Sequence, residues 1–431
     1  MQIPIERYEL ENGLKVVLSE DHSNPIVALN LWYNVGSRDE RPGRTGLAHL
    51  FEHMMFQGSL HVPETSHIAH VERAGGNLNG STWLDRTNYY ETIPSDRLEL
   101  ALWLESDRLG WFIPALTQEK LDNQRDVVKN ERRQRVDNQP YGDWDERLQA
   151  LIFPVDHPYH HSVMGSMEDL DAASLDDVAD FFRTYYAPNN AVLTLCGDFD
   201  PAEARRLIDR WFGPIPRGPE IPPVPGRPLL EPFKLGREVR DVVHGGVPLP
   251  RVYLAWRVPV YGTDEYYAAD LASELLAGGK SARLYRELVR GRRLALSVAA
   301  FLLPVVTGGA AMIVRANGLV GEDPAVLERA LLDEVERLAA EPPDAAEMER
   351  ALTGLEARQI FDLQKVNERA DQISMLTTHF DAPELINTEL DRYRAVTAED
   401  VRRVVAELLG ADNRVVLTYL PAADAAPAEA A

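Results

Sequence analysis

Residues 46–59 of the chain read GLAHLFEHMMFQGS, which places two histidines four positions apart around a glutamate. Positions i and i+4 lie on one face of an α-helix, so His49 and His53 can reach a single metal ion. Glu52 lies beside the two imidazoles and is close enough to take a proton from a water molecule. Most neighbouring residues are leucine, phenylalanine or methionine, among which unliganded polar side chains are costly. The segment therefore predicts a metal-binding helix.

A third protein ligand is expected, because zinc hydrolases typically use three and leave one position open. Residues 117–134, TQEKLDNQRDVVKNERRQ, form a predicted helix in which Leu121, Val128 and Glu131 share one stripe. A glutamate on an apolar stripe needs a partner, although most helical glutamates are simply solvated. Glu131 is the candidate third ligand, and Glu52 is the candidate general base for the attacking water.

The length and composition limit the class of protein. At 431 residues the chain exceeds the usual size of one hydrophobic core, so two domains are expected. The net charge of −23 argues against partners such as nucleic acid or an anionic membrane. The single cysteine, Cys196, excludes an intramolecular disulfide. The sequence shows neither a run of eighteen apolar residues nor an export signal, so we predict a cytoplasmic protein, or a periplasmic one if a signal was removed.

The two halves of the chain follow a similar order. The segment RVYLAWRV at 251–258 resembles IVALNLWYNV at 26–35, and each is followed by a loop and a helix. Superposing the two helices puts Ser273 opposite His49, so the second half carries no copy of the metal motif. The mixture of helices with neighbouring strands predicts an α+β fold with two homologous domains, each a mainly antiparallel sheet covered by helices.

The predicted domain boundaries follow the composition. Residues 1–212 form the metal-binding catalytic domain, and the proline-rich stretch at 213–233 forms an extended linker. Residues 234–420 form the second domain, which has no metal site. Residues 421–431, PAADAAPAEAA, form a disordered tail.

Two other segments resemble known sites only in part. His157, His160 and His161 in HPYHH lie in a proline-containing loop without helical spacing, so a surface or structural role is expected. The segment LLAGGKS ends like a phosphate-binding loop, but Glu274 stands where its first glycine is required. We therefore predict neither a second metal site nor a nucleotide site from these segments.

The metal motif and its surroundings resemble the inverted zincin family of pitrilysin, insulinase and mitochondrial processing peptidase. That family combines H-x-x-E-H with a glutamate some seventy-odd residues later, and seventy-seven residues lie between His53 and Glu131. The segments GSRDE, GGNLNGSTWLDRTNYY, VVKNERRQ and YYAPNNAVLTLCGD also match, and the length is that of the short bacterial members. The resemblance implies two domains that form a clamshell chamber, Zn²⁺ held by His49, His53 and Glu131, and Glu52 as the catalytic base.

The resemblance also implies how a peptide substrate binds. Asn79, Gly80 and Ser81 match the family's edge strand, to which an extended peptide adds by β-augmentation; the alternative is an ordinary edge strand. Arg283 in SARLY matches a substrate-binding arginine, although it could equally be a solvated helix residue. The family's tyrosine is replaced by Leu296 in LALSV, and leucine has no hydroxyl to bind a substrate carbonyl.

The predicted function is that of a zinc metalloendopeptidase which cleaves peptides or unfolded segments by attack of metal-activated water. Because the tyrosine is missing, we expect a heterodimer with a related subunit that supplies an Arg/Tyr pair, with a homodimer as the alternative. Two other classes stay open at this point: a non-catalytic assembly subunit, and a zinc-containing protein that binds peptides without cutting them.

Overall fold

The structure is a computed structural model that describes residues 2–224 and 234–422. The described residues divide into two compact units. The first unit contains the chain up to Arg133, the segment from His161 to the linker, and Ile360–Thr388. The second contains Gln134–His160, the segment from the linker to Gln359, and the chain from Glu389 onward. Across the described residues, helices lack the combination of length and apolar character that crossing a membrane requires.

The first unit is built on a six-stranded sheet. Its strands are β1 (Glu6–Glu9), β2 (Lys15–Glu20), β3 (Ile26–Tyr33), β4 (Asn77–Thr82), β5 (Thr87–Pro94) and β6 (Ala191–Gly197). The strand order is β1-β2-β6-β3-β5-β4, and β2 and β6 run parallel while the other neighbours are antiparallel. A hairpin turn at Asn12-Gly13 joins β1 to β2, with Gly13 at a φ of +90° that favours glycine.

The second unit repeats this sheet without its first strand. Its strands are β7 (Val239–Gly245), β8 (Arg251–Val258), β9 (Ala295–Leu303), β10 (Ala310–Gly318) and β11 (Arg414–Pro421). The order β7-β11-β8-β10-β9 has one parallel pair, β7 with β11, in the place that β2 and β6 occupy in the first sheet. The predicted α+β class and the internal repeat are both confirmed by this topology.

Helices lie between the strands in both halves of the chain. In the first half they are α1 (Leu47–Met54), α2 (Ser66–Arg73), α3 (Leu98–Trp111), α4 (Gln118–Arg132), α5 (Trp144–Ile152), α6 (Met167–Ala172), α7 (Leu175–Tyr185) and α8 (Pro201–Phe212). In the second half they are α9 (Asp264–Ala277), α10 (Pro324–Ala340), α11 (Ala345–Leu363), α12 (Val366–Phe380), α13 (Glu389–Ala395) and α14 (Ala398–Leu408). Helical turns with π-type hydrogen bonding follow α4 at Arg133–Asp137 and precede β9 at Tyr285–Gly291.

The repeat extends to the helix that precedes the last strand of each sheet. Helices α7 and α14 both begin with a capping box, formed by Ser174 with Asp177 and by Thr397 with Asp400. After each helix, an asparagine amide donates to a carbonyl at the helix end, Asn190 to Tyr185 and Asn413 to Leu408, both at 2.8 Å. The same local interactions therefore lead the chain into β6 and into β11.

Both faces of the first sheet are buried, and the two faces are covered by different halves of the chain. Leu29, Leu31 and Tyr33 of β3 pack into a core with helices of the first half, including Phe51 of α1. The alternating residues of β3, such as Trp32, pack instead against α12 from the second half. A sheet that is apolar on both faces needs two helical layers, and α12 supplies the second one.

The second sheet is covered in the equivalent way by α5 from the first half. The Trp144 ring stacks on Tyr253 of β8 at 5.3 Å between centroids, and its edge meets Phe301 of β9. Asp143, just before α5, accepts a hydrogen bond of 2.7 Å from Tyr419 of β11.

The units are consequently not the continuous domains predicted at 1–212 and 234–420. Two segments are exchanged: Gln134–His160 joins the second unit and Ile360–Thr388 joins the first. The physical reason is the need to cover both faces of each sheet. Of the predicted linker, the part at 225–233 lies outside the described residues, as does most of the predicted tail from residue 423 onward. Pro421, the first residue of that tail, still belongs to β11.

Candidate metal centre and active site

The helix that carries the H-x-x-E-H motif, α1, is held at its N-terminus by a residue from the preceding loop. Gly46 occupies the N-cap position at a φ of 84° and offers no capping side chain. Glu40 acts as the capping residue instead, because its two carboxylate oxygens accept hydrogen bonds from Gly46 N at 2.9 Å and from Ala48 N at 2.7 Å. His161 Nε2 lies 2.9 Å from Glu40 Oε2 and 3.0 Å from the carbonyl of Ser37. Burial raises the pKa of Glu40, while His161 and the two amides act against that shift.

The three predicted metal ligands come together in the structure. His53 Nε2 lies 3.2 Å and His49 Nε2 3.7 Å from Glu131 Oε2, which α4 provides. One ligand atom from each side chain falls within 4.8 Å of the others. Nitrogen and oxygen ligands arranged tetrahedrally at about 2.1 Å from zinc are about 3.4 Å apart. The spacing and the donor set therefore fit one zinc ion.

Electrostatics at this centre also suit a cation. Burial alone would lower the pKa of His53, but the hydrogen bond with Glu131 and the charge of Glu52 raise it above its ordinary value. The two carboxylates thus favour a positive charge between them. A divalent cation would supply that charge, and its binding to histidine and carboxylate ligands generally displaces protons.

Glu52 lies between α1 and the edge strand β4. Its side chain is 8% exposed, and Thr82 Oγ1 donates to Glu52 Oε2 at 2.6 Å. Burial raises the pKa of Glu52, and the hydrogen bond from Thr82 opposes that shift. A β-carbon added to Gly80 would lie 3.1 Å from Glu52 Oε1 and 3.2 Å from Phe56 Cε2. The absence of a side chain at residue 80 therefore lets β4 approach the glutamate closely.

The register of β4 decides which main-chain groups it presents at the sheet edge. Trp83 N donates to Arg86 O at 2.8 Å at the turn into β5. Hydrogen-bonded pairs alternate with non-hydrogen-bonded pairs along an antiparallel ladder. Ser81 and Asn79 are therefore the next residues that bond to β5.

The alternate residues of β4, Leu78, Gly80 and Thr82, direct their main-chain groups away from β5. Of the predicted set Asn79, Gly80 and Ser81, Gly80 is thus the residue whose main chain faces the open side of the strand. Its N–H is taken up by Asn79 Oδ1 at 2.9 Å. A peptide carbonyl that paired with Gly80 would replace this side-chain acceptor.

The other face of β4 is held by a buried polar network. Arg86 Nη1 donates to the carbonyl of Ser81 at 2.9 Å and to Asn88 Oδ1 at 3.1 Å. Asn88 and Asn30 in turn donate to Asp371 Oδ1 at 2.8 Å and 3.1 Å. Asp371 belongs to α12, so the exchanged helix takes part in fixing the edge strand. The sequence offered no signal for this network, because its members are far apart along the chain.

A second group of potential ligands, His67, Glu91 and Glu105, is fully buried and was not identified from the sequence. His67 Nε2 lies 2.6 Å from Glu91 Oε1, and Arg108 Nε donates to Glu105 Oε2 at 2.9 Å. Burial raises the pKa of both carboxyl groups to about 7 and lowers the pKa of His67 to about 3. The Arg108 guanidinium supplies the positive charge beside Glu105, and His67 already contacts Glu91, so charged and polar groups of the protein occupy the positions around these carboxylates.

Arg283 and Leu296 both lie in the second unit. Arg283 forms a two-pronged pair with Glu347, with Nε–Oε1 and Nη2–Oε2 distances of 2.9 Å and 2.6 Å. Such pairs are strong and directional, so Glu347 holds Arg283 within the unit's own structure; substrate binding by Arg283 stays a prediction. Leu296 is 61% exposed on β9, the edge strand of the second sheet. Ser273 lies on α9 and donates to the carbonyl of Asp270 at 2.8 Å, as a buried helix residue does.

The histidines of HPYHH form local hydrogen bonds. His160 Nδ1 lies 2.7 Å from the carbonyl of Phe153, and Tyr159 N donates to His157 Nδ1 at 3.1 Å. His161 binds Glu40, as described above. These contacts fit the structural role that the sequence predicts for the three histidines.

The sequence matches two family descriptions. Residues 15–153 match Insulinase (Peptidase family M16), and residues 172–355 match the Peptidase M16 inactive domain. The zinc protease PqqE of Helicobacter pylori is 30% identical over 377 residues, which cover 87% of this chain and 81% of that protein. An uncharacterized zinc protease of Mycobacterium leprae is 28% identical over 411 residues, with coverages of 94% and 89%.

Solved structures share the same architecture over nearly the whole chain. A protease from Helicobacter pylori superposes with a TM-score of 0.91 at 26% identity, covering 98% of this chain and 100% of the other. A peptidase M16 inactive domain from Pseudomonas fluorescens superposes with a TM-score of 0.85 at 18% identity, and this likeness concerns the fold alone. By its sequence matches over both halves, the chain belongs to the insulinase family of peptidases, family M16.

Proposed function

We propose that this protein is a zinc metalloendopeptidase that cleaves peptides or unfolded protein segments. The observation that carries the proposal is the convergence of His49, His53 and Glu131 on one point, with Glu52 beside them against an open sheet edge. Relatives that are named zinc proteases support the same chemistry.

Each residue of the centre has a distinct role in this proposal. His49, His53 and Glu131 hold the metal. A bound zinc ion would polarise the scissile carbonyl and lower the pKa of water. Glu52 accepts the proton of the attacking water and passes it to the leaving amine, a general base and acid in turn. Burial raises the pKa of Glu52, which makes its carboxylate a stronger base for the proton of the attacking water.

The open side of β4 supplies the substrate site. A peptide that adds to the edge through Leu78, Gly80 and Thr82 is held in an extended conformation. Folded proteins cannot offer a free strand of this kind, so unfolded segments and short peptides are the substrates.

We further propose that full activity needs a related subunit that supplies an Arg/Tyr pair, with a homodimer as the alternative. The proposal rests on two features of the second unit. Leu296 has no hydroxyl that could bind a substrate carbonyl, and Arg283 is engaged by Glu347.

The test combines metal analysis with turnover of a quenched fluorescent peptide library by the purified chain. Wild-type protein should bind one zinc per chain and lose turnover on chelation. Glu52→Gln should retain the zinc and lose most turnover, while Glu72→Gln, a change at an exposed glutamate of α2, should behave like wild type. Unchanged turnover in Glu52→Gln would rule out its role as the base. Bound zinc without turnover in the wild-type chain would direct the search to the partner subunit.

A further inference from the structure

We propose that Thr82 is a positioning residue that couples peptide binding on β4 to the orientation of Glu52. The inference rests on the proposed peptidase function and adds to it a residue outside the metal-binding motif. Thr82 is the last residue of β4, whereas Glu52 belongs to α1, so their hydrogen bond joins the strand that binds the peptide to the helix that carries the base.

The geometry assigns the two carboxylate oxygens of Glu52 different tasks. Oε2 accepts the 2.6 Å hydrogen bond from Thr82 Oγ1. Oε1 is the oxygen that faces the main chain of Gly80, 3.1 Å from where a β-carbon would stand. With Oε2 engaged, Oε1 remains as the oxygen that can accept a proton beside the bound peptide.

A fixed contact is needed here because the glutamate side chain has three rotatable bonds and a carboxylate neighbour. The charge of Glu131 acts on Glu52, and that of His53 acts in the opposite sense. These interactions have no strong directional preference, whereas a hydrogen bond does. The threonine hydroxyl therefore selects one rotamer of the base out of several.

The same residue contacts the base and the peptide. The main-chain groups of Thr82 point to the open side of β4, as those of Gly80 do, while its hydroxyl points to Glu52. The Trp83–Arg86 hydrogen bond closes the hairpin directly after Thr82. A peptide paired along β4 thus immobilises the residue that orients the base, and the base is best placed when an extended substrate is present.

The experiment compares Thr82→Val, which removes the hydroxyl at nearly constant shape, with Thr82→Ser, which keeps it. Thr184→Val on α7 is the matched control, since the Thr184 hydroxyl donates to the carbonyl of Asp180 in its own helix. All variants should bind zinc like the wild type. We expect kcat of Thr82→Val to fall about 10- to 100-fold, the usual effect of removing a group that orients a metal-site residue, with KM little changed. Thr82→Ser should recover most of the lost rate.

A binding measurement gives a second readout that does not require turnover. A peptide hydroxamate binds zinc while its proton is held by the base, whereas a peptide thiol binds zinc as the thiolate, with its proton released to the buffer. By calorimetry, Thr82→Val should bind the hydroxamate more weakly by a similar factor and the thiol with unchanged affinity.

Three results would overturn the role of Thr82: a wild-type kcat in Thr82→Val, an equal loss in Thr82→Ser, or a change confined to KM. Bound zinc without turnover by the wild-type chain would instead point to the missing partner subunit, and a chain that binds no zinc would count against the proposed function. Without turnover, the hydroxamate and thiol affinities of the zinc-bound chain still decide whether Thr82 positions Glu52.

Discussion

Glu40→Gln should destabilise the metal-binding helix although residue 40 lies outside it. In the native protein, one carboxylate accepts from both Gly46 N and Ala48 N, in a buried position at the positive end of α1. The amide of glutamine offers one acceptor oxygen, so one of these two N–H groups loses its partner. A hydrogen bond to a charged group contributes about 1.5–3 kcal/mol, and a charge at a helix N-terminus adds about 0.3–2 kcal/mol.

Relief of the burial cost of the charge offsets part of this loss, so we expect a net destabilisation of about 2–3 kcal/mol. The loss should be concentrated in α1, because the lost interactions are at its first turn. Hydrogen exchange of metal-free protein, read for the amides of α1, is the direct assay, together with zinc affinity by competition with a chelator. We expect faster exchange in α1 and zinc binding weakened about tenfold or more.

The exposed Glu72→Gln on α2 is the matched control and should leave both quantities unchanged. Equal exchange rates in α1 and an unchanged zinc affinity in Glu40→Gln would refute the reasoning, since they would mean that the cap contributes nothing to the helix.

Three other predictions follow from the site and the fold. Chelation of the metal should abolish turnover and lower the midpoint of thermal unfolding, and added zinc should restore both; stability that does not respond to zinc would contradict a native-state site. Ile373→Ala on α12 should lower the free energy of unfolding by about 2–4 kcal/mol, because the side chain is fully buried. Hydrogen exchange should become faster in β3 and β6. An effect restricted to the second sheet would contradict the packing of α12 on the first sheet. Since burial raises the pKa of Glu91 and Glu105 from 4.5 to about 7, the folded state binds more protons in that range and stability should fall as pH rises through it. Glu91→Gln should make this fall shallower in urea titrations, and identical slopes would count against the shifted pKa.

The features that follow from local sequence patterns were predictable. His49 and His53 lie on one face of α1 simply because residues four positions apart do so in any helix. The dipeptide Asn12-Gly13 is likewise typical of a hairpin turn. Glu131 could be placed on the correct stripe of α4, but the stripe alone left a solvated glutamate as an alternative, and the resemblance to a family decided it. The pairing of these side chains in space is what the structure adds.

The features that depend on contacts between distant segments could not be predicted. An amphipathic helix pattern shows that one face of α12 is buried, but it does not say which sheet covers that face. The bonds of Thr82 to Glu52 and of His161 to Glu40 likewise join segments whose sequence separation carries no periodic signal. Their residue types, a threonine in a strand and a histidine in a loop, are common in purely structural positions.

The exchange of α5 and α12 means that neither half of the chain contains a complete folding unit. A fragment that ended in the linker would keep the first sheet but leave Val17, Trp32 and Val192 without the helix that packs on them. The same fragment would carry α5 with no sheet to cover. When the two halves are expressed separately, we expect each to be insoluble or only partly folded. When they are expressed together, each half can supply the helix that covers the sheet of the other. During synthesis, the first sheet can be covered on both faces only after the ribosome has passed the segment Ile360–Thr388, so the first unit completes its folding late.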